Sequence, residues 1–282
     1  MNKTEQKQKA KLFLSLHKQD KILILPNIWD PLGARMLEAE GFPAAATASA
    51  AISSSLGYKD HENIKLSTHF EIIRRIVASV EIPVSADIEG GYAEKISELR
   101  DSITQLLETG AAGINIEDNI NDGTAIRESH EQCERIAAVR ETAAKAGIDL
   151  VINARVDFFL VNPDKPKEEI ENEIIKRAKA YVQAGADCIY PIGITDRDTL
   201  IRLRKNISSP MNVLGTPQAE SISSLQDMGI NRLSFGPYVF RSTMKKFLNI
   251  IKELRNSGSY KCFAEEFISR DEMEKYLRTN KE

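Results

Sequence analysis

Apolar residues along this chain repeat with two alternating rhythms. Stretches with the helical spacing i, i+3, i+4 end five times at a glycine: EAEGF at Gly41, LLETGAAG at Gly110, AAKAGID at Gly147, VQAGADC at Gly185 and QDMGINR at Gly229. A glycine just past the last helical turn takes the left-handed conformation at little cost, and a short apolar run follows each one. Every such place therefore reads as helix, cap, strand. The segments read as strands are 22–28, 44–49, 83–89, 113–118, 150–157, 188–193, 211–215 and 232–236. They are rich in Ile, Val and Leu and alternate with helical stretches of roughly 10–15 residues, which predicts βαβ units around a parallel sheet. Eight such units predict an α/β chain folded as a (β/α)8 TIM barrel. An open doubly wound sheet would carry a glycine-rich turn such as GxGxxG after its first strand; LPNIWDPLGAR stands there instead, with Asp30 as N-cap and Pro31 as first helical residue.

A length of 282 residues suits one barrel domain spanning 1–282. The last barrel helix is expected near 241–255. Residues 256–259 then break the pattern, and Ser269 with Glu272 forms a capping-box signature, so 256–282 reads as a C-terminal helical tail that packs on its own barrel or on a neighbouring subunit. Composition narrows the function classes. With 42% hydrophobic and 28% charged residues, and no run near the ~18 apolar residues of a membrane span, the chain reads as soluble and globular. A net charge of −3, without a clustered Lys/Arg stripe, leaves no footprint for nucleic acid or a membrane surface and points to a small-molecule partner. The basic start MNKTEQKQKAK leads only into LFLSL, too brief for a signal-peptide core, so a cytoplasmic location is expected. Cys133, Cys188 and Cys262 lie too far apart for a CxxC motif and read as free thiols, Cys188 in the core.

In such a barrel the site forms at the carboxyl ends of the strands. Three strands carry polar side chains there at period two, the spacing that puts them on one face. These are Ser85, Asp87 and Glu89 in PVSADIEGG, Asn115 and Glu117 in GINIED, and Asn153, Arg155 and Asp157 in VINARVD. The residues between them are apolar and suit the helix layer, while Asp118 alternates with Glu117 and is expected to point away. Asp87, Glu89 and Glu117 would then converge at one barrel mouth. Carboxylates crowded in a partly desolvated mouth repel one another and take up protons unless a cation compensates. Because the donors are all oxygens, Mg²⁺ or Mn²⁺ fits and zinc does not. The competing reading is structural, with these acids paired to Arg155 and backbone amides or capping the following helices. Asp60, in LGYKDHEN, reads by itself equally as a turn residue or helix cap, and His61 as a solvated loop histidine. Tyr190 and Tyr92 are candidate proton donors for which packing roles compete.

The motifs ADIEGGY, GINIEDN and NARVD in this order, with TASAAISSSLGYKD after the second strand, resemble the isocitrate lyase and phosphoenolpyruvate mutase superfamily over about residues 26–236. The resemblance implies that Asp87 holds Mg²⁺ directly or through water, and that Glu89, Glu117 and Asp60 hold metal-bound waters. It implies that Thr47, Ala48 and Ser49 offer backbone N–H groups and a hydroxyl to the substrate carboxylate, and that Arg155 grips the substrate. Arg155 and Asp60 are accordingly the expected catalytic residues. Members commonly exchange their last barrel helix between subunits, so a homodimer or homotetramer is expected. There are also departures. The isocitrate and methylisocitrate lyases carry a Lys-Lys-Cys-Gly loop after strand four whose cysteine is the acid/base, and the mutases carry a Lys and an Asn on a longer gating loop. Here the region reads EDNINDGTAIRESHEQCERI, with Asn119, Asn121 and Asp122 but neither feature, and Cys133 falls in a helical pattern starting near Ser129. The strand-six position that is His in the mutases or Glu in the lyases is Ile192.

The expected function is therefore a Mg²⁺-dependent carbon–carbon lyase or decarboxylase that acts on a small α-oxo or 2-hydroxy dicarboxylic acid through a pyruvate-type enolate. A phosphonomutase or phosphonopyruvate hydrolase is the first alternative. A metabolite-binding homologue without turnover is the second.

Overall fold

The computed structural model of the chain describes residues 2–120, 122–264 and 267–277. Each segment read as a strand contains one. In chain order the strands are β1 (Leu23–Leu25), β2 (Asn27–Ile28), β3 (Ala45–Thr47), β4 (Val84–Asp87), β5 (Gly113–Glu117), β6 (Asn119–Ile120), β7 (Ala125–Ile126), β8 (Val151–Val156), β9 (Cys188–Pro191), β10 (Asn212–Leu214) and β11 (Arg232–Ser234). Parallel pairing runs β2-β3-β4-β5-β8-β9 and, separately, β1-β11-β10, while β6 and β7 form a small antiparallel hairpin. β1 and β2 are two halves of one stave, parted at Pro26, which has no N–H to give to a ladder. The first half pairs with β11 and the second with β3. The seam between β9 and β10 is joined by a parallel bridge, Ile189 to Met211, and by the Ile189 N–H donating to the Pro210 carbonyl at 2.9 Å. The eight staves thus close into the barrel that the pattern predicts.

All five helix-ending glycines adopt positive φ, between 74° and 114°. Asp30 caps the helix Pro31–Ala39 as read, accepting the Gly33 N–H at 2.7 Å. Outward-facing Ala86, Ile114, Ile116, Ala154 and Val156 are fully buried beneath the helix layer. Their burial leaves the inward positions of the same strands to line the barrel mouth.

One helix lies outside the expectation. The pattern treats the apolar run near the start only as a leader candidate, yet Lys3–Leu16 is helical and buries Ala10, Phe13 and Leu16. Gln6 Nε2 donates to the carbonyls of Leu107 and Ala111 at 2.9 and 3.0 Å, which ties this helix beside the start of β5. Phe13 packs against Gly113, where an added Cβ would lie 2.8 Å from the ring and 2.9 Å from the Val151 carbonyl oxygen. Only glycine fits at that contact.

The last barrel helix spans Tyr238–Ser257 and buries Phe240, which meets Trp29 edge-on at 5.0 Å between ring centres. Val239, Met244, Phe247, Leu248, Ile251 and Leu254 of the same helix are exposed. Beyond it, Ser269 Oγ accepts the Glu272 N–H at 3.2 Å and caps the helix Arg270–Glu274. The Tyr276 carbonyl accepts from Arg35, so this end of the tail folds back on the helix Pro31–Ala39. Residues 265–266 and 278–282 of the expected tail lie outside the described residues. No helix among the described residues is long and apolar enough to cross a membrane.

Candidate active site

The carboxyl ends of the strands surround a cavity of about 380 Å³. Asp87 closes β4 and its carboxylate is held from two sides. Oδ2 accepts the Ser49 N–H at 3.0 Å and the Ser49 hydroxyl at 2.8 Å, while Oδ1 accepts from Asn115 Nδ2 at 2.9 Å. Asn115 Oδ1 in turn accepts from Asn153 Nδ2 at 2.8 Å. The inward polar residues of β4, β5 and β8 therefore form one hydrogen-bonded chain ending on Asp87. Thr47 Oγ1 accepts the Asp87 N–H at 2.9 Å, and the Ala48 N–H donates to the Ile28 carbonyl at 3.2 Å. Of the segment expected to receive a carboxylate, Ser49 faces Asp87 with both donors, whereas the Ala48 N–H is engaged in backbone pairing.

Arg155 sits between two acids, with Nη1 2.5 Å from Glu117 Oε2 and Nη2 2.5 Å from Asp157 Oδ1. Burial works against its charge, but Asp157 and Glu117 more than reverse this, so the guanidinium stays cationic. Asp118 points away from the cavity, as alternation requires. It accepts from Tyr181 Oη at 2.6 Å, from Arg177 Nη1 at 3.2 Å and from the Asp157 N–H at 2.8 Å.

A second cleft of about 440 Å³ adjoins the first and shares His61, Asn119 and Asp122 with it. Asp87 and Asp60 line the first cleft, Glu89 and Glu117 the second. The four acids nevertheless sense one another. Burial, then Asp60 and Asp87, push Glu89 up to about 8. Burial and then Asp87 raise Asp60. Burial raises Glu117 well above the carboxylate range; Arg155 opposes the rise, while Asp157, Asp87 and Glu89 add to it. One ligand atom each from His61, Glu89 and Glu117 lie within 4.8 Å of one another. The Asp60 Oδ1 and Asp157 Oδ2 atoms are buried without a hydrogen-bond partner. Crowded acids whose negative charge is disfavoured by burial and by one another, with orphaned buried acceptors among them, form a donor set able to hold a divalent cation.

The sequence reading anticipates Asp87, Glu117, Asn115, Asn153 and Arg155 on the inner face. It does not anticipate His61 in the site, nor that Glu89 and Glu117 line a neighbouring cleft and not the one that Asp87 lines. The one available signal for His61 is its place next to Asp60. Tyr190 and Ile192 line the cavity, and the Tyr190 phenol, bonded to Ser234, is held above its ordinary range by burial. Tyr92 lines the second cleft, its Oη 3.0 Å from His69 Nδ1. The hairpin β6–β7 brings Asn119 and Asp122 to the shared edge; Asn121 lies outside the described residues. Cys133 lies on the helix Ser129–Lys145 and lines neither cleft.

A family model described as phosphoenolpyruvate phosphomutase matches residues 13–255. The chain is 27% identical over 262 residues to a 2-methylisocitrate lyase of Aeropyrum pernix, covering 91% of this chain and 83% of that protein. It is 28% identical over 234 residues to oxaloacetate decarboxylase 1 of Pseudomonas fluorescens, covering 81% and 78%. A solved structure from Burkholderia cenocepacia J2315, described as a candidate lyase/mutase, matches with a TM-score of 0.89 and 30% identity over 98% of both chains.

Proposed function

The chain belongs to the phosphoenolpyruvate phosphomutase family, within the isocitrate lyase/phosphoenolpyruvate mutase superfamily, and from that premise we propose a cytoplasmic Mg²⁺- or Mn²⁺-dependent lyase that breaks a carbon–carbon bond beside the carbonyl of a small α-oxo or 2-hydroxy dicarboxylic acid. The observation that carries this reading is the gathering of four acids at two adjoining clefts, Asp60 and Asp87 in the one that Arg155 also lines and Glu89 and Glu117 in its neighbour, with Glu117 paired to Arg155. When bound, the cation supplies electrostatic stabilisation of the enolate oxygen that appears as the bond breaks. Asp87 would hold it, with Asp60, Glu89 and Glu117 acting through its waters. Ser49, whose N–H and hydroxyl both point at Asp87, would offer those two donors to the substrate carboxylate were Asp87 holding a cation. Arg155, its plane set by Glu117 and Asp157, orients the substrate and gives positive charge to the same cavity.

Specificity falls to what covers the substrate. The β6–β7 hairpin offers Asn119, Asp122 and, behind it, Arg127, but neither a cysteine nor a lysine. A four- or five-carbon diacid suits so short a cover, whereas a tricarboxylate finds few cations for its extra groups. The test is a panel of oxaloacetate, a substituted malate, isocitrate and phosphonopyruvate with Mg²⁺, run on the parent and on Cys133→Ser. Cleavage or decarboxylation of a four- or five-carbon acid, unchanged by the cysteine variant, is expected. Phosphonopyruvate as much the best substrate, or selective loss of isocitrate cleavage in Cys133→Ser, would overturn the reading.

The same premise extends to assembly as a homodimer or homotetramer with the last barrel helix exchanged. Its support is the exposed apolar face of Tyr238–Ser257, of which Phe247 at 55% and Ile251 at 42% exposure are the clearest members.

A further inference from the structure

Among the described residues, five that are not glycine hold positive φ: His61 at 67°, Glu62 at 56°, Glu89 at 54°, Tyr92 at 56° and Asp122 at 55°. All five line the second cleft beside the acidic site. An L side chain in this region is strained, and the strain persists only where surrounding contacts enforce it. For three of the five, those contacts form a closed ring. The Glu62 N–H donates to Glu89 Oε2 at 2.6 Å, the Tyr92 N–H donates to Glu62 Oε1 at 2.7 Å, and the Tyr92 hydroxyl donates to Glu89 Oε1 at 3.2 Å. The ring joins the loop that follows the helix Ser49–Ser55 to the turn that follows β4, Glu62 and Glu89 being 27 positions apart along the chain.

The loop tied down in this way carries Asp60. Its Oδ1 is buried, has no hydrogen-bond partner and shares the cavity with Asp87. The carboxylate accepts a backbone hydrogen bond from His61, but a buried oxygen left without a partner beside another carboxylate gains by swinging toward water, so its loop must be restrained. Within the loop, Asn63 Nδ2 donates to the carbonyls of Asp60 and His61 at 2.5 and 3.1 Å, which stiffens the segment but anchors it to nothing outside. Hydrogen bonds from the loop to the turn after β4 run through Glu62.

We propose that Glu62 is a positioning residue. With Glu89 and Tyr92 it clasps the loop in a strained conformation, so that Asp60 is preset toward Asp87 before any ligand arrives. What Asp60 is preset to do rests on the proposed function, whereas the clasp is a property of the metal-free chain. Glu89 links the two, because the carboxylate that accepts the Glu62 N–H also faces Glu117 and His61.

Glu62→Ala removes the acceptor for the Tyr92 N–H, and Glu62→Gln keeps it. Hydrogen–deuterium exchange on the metal-free protein should show amides of 57–64 exchanging at least about tenfold faster in Glu62→Ala, with the barrel strands unchanged. Mg²⁺ affinity, measured by calorimetry, should fall about tenfold in the same variant. Glu62→Gln should restore both toward the parent. Unchanged exchange over 57–64 in Glu62→Ala would overturn the clasp, and so would faster exchange spread evenly over the barrel, which is a loss of general stability. If the parent binds no Mg²⁺, the metal part of the proposed function falls, and the exchange result still decides on the clasp.

Discussion

Adding Mg²⁺ to the metal-free protein should release protons, and the structure sets the amount. Glu89, pushed up to about 8, is about nine-tenths protonated at pH 7, and a cation that requires its charged form displaces about 0.9 proton. Glu117, raised well above the carboxylate range, adds to that number in the same direction. Glu89 by itself should therefore raise the apparent Mg²⁺ affinity about tenfold per pH unit below pH 8, and Glu117 adds to that slope in the same direction. The effect on stability has a definite sign. Glu89 has a folded value above its unfolded one, so the stability it contributes is present below about 4.5 and is lost as pH rises through about 8. Mg²⁺ counters that loss. At one hundred times its dissociation constant it adds about 2.7 kcal/mol, or roughly 5–10 °C in melting temperature for a chain of this size. Calorimetric titrations in buffers of different ionisation enthalpy measure the proton release, and thermal melts at pH 6, 7 and 8 measure the stabilisation. Asp87→Asn should abolish both. A binding enthalpy at pH 7 that does not depend on the buffer would mean that the acids are ionised already and that no proton leaves Glu89 on binding.

Three further outcomes are expected. Gly113→Ala should cost about 1–3 kcal/mol in urea unfolding, since the new Cβ meets both the Phe13 ring and the Val151 carbonyl. Tyr181→Phe, which removes the 2.6 Å donor to buried Asp118, should cost about 1–3 kcal/mol by the same measurement and leave Mg²⁺ affinity unchanged, because Asp118 faces the helix layer. Light scattering should give a dimer or tetramer for the parent at micromolar concentration and a smaller species for Phe247→Glu; a strictly monomeric parent would count against helix exchange.

The eight staves, the five glycine endings and the inward row of Asp87, Asn115, Glu117, Asn153 and Arg155 are legible from the chain alone. Side-chain alternation in a strand and the left-handed cap of a helix are steric rules that act within a few residues. Alternation fails at Glu89 because β4 stops at Asp87, and the turn at positive φ carries Glu89 into the neighbouring cleft. Nothing in PVSADIEGG marks where the strand must stop. Arg155 is legible as an inward cation, but its clamping by Glu117 follows from the register of β5 on β8, which sets those two residues side by side. Glu62 meets Glu89 and Tyr92, and His61 meets Gly123, only when loops distant in the chain come together. The helix Lys3–Leu16 carries a capping box of Asn2 and Glu5, but what it packs on is set by the barrel, which brings Gly113 under Phe13. Local spacing therefore determines which way each side chain points. Which charges meet, and which acid keeps its proton, is decided by tertiary structure, because desolvation and pairing depend on neighbours brought together from distant parts of the chain.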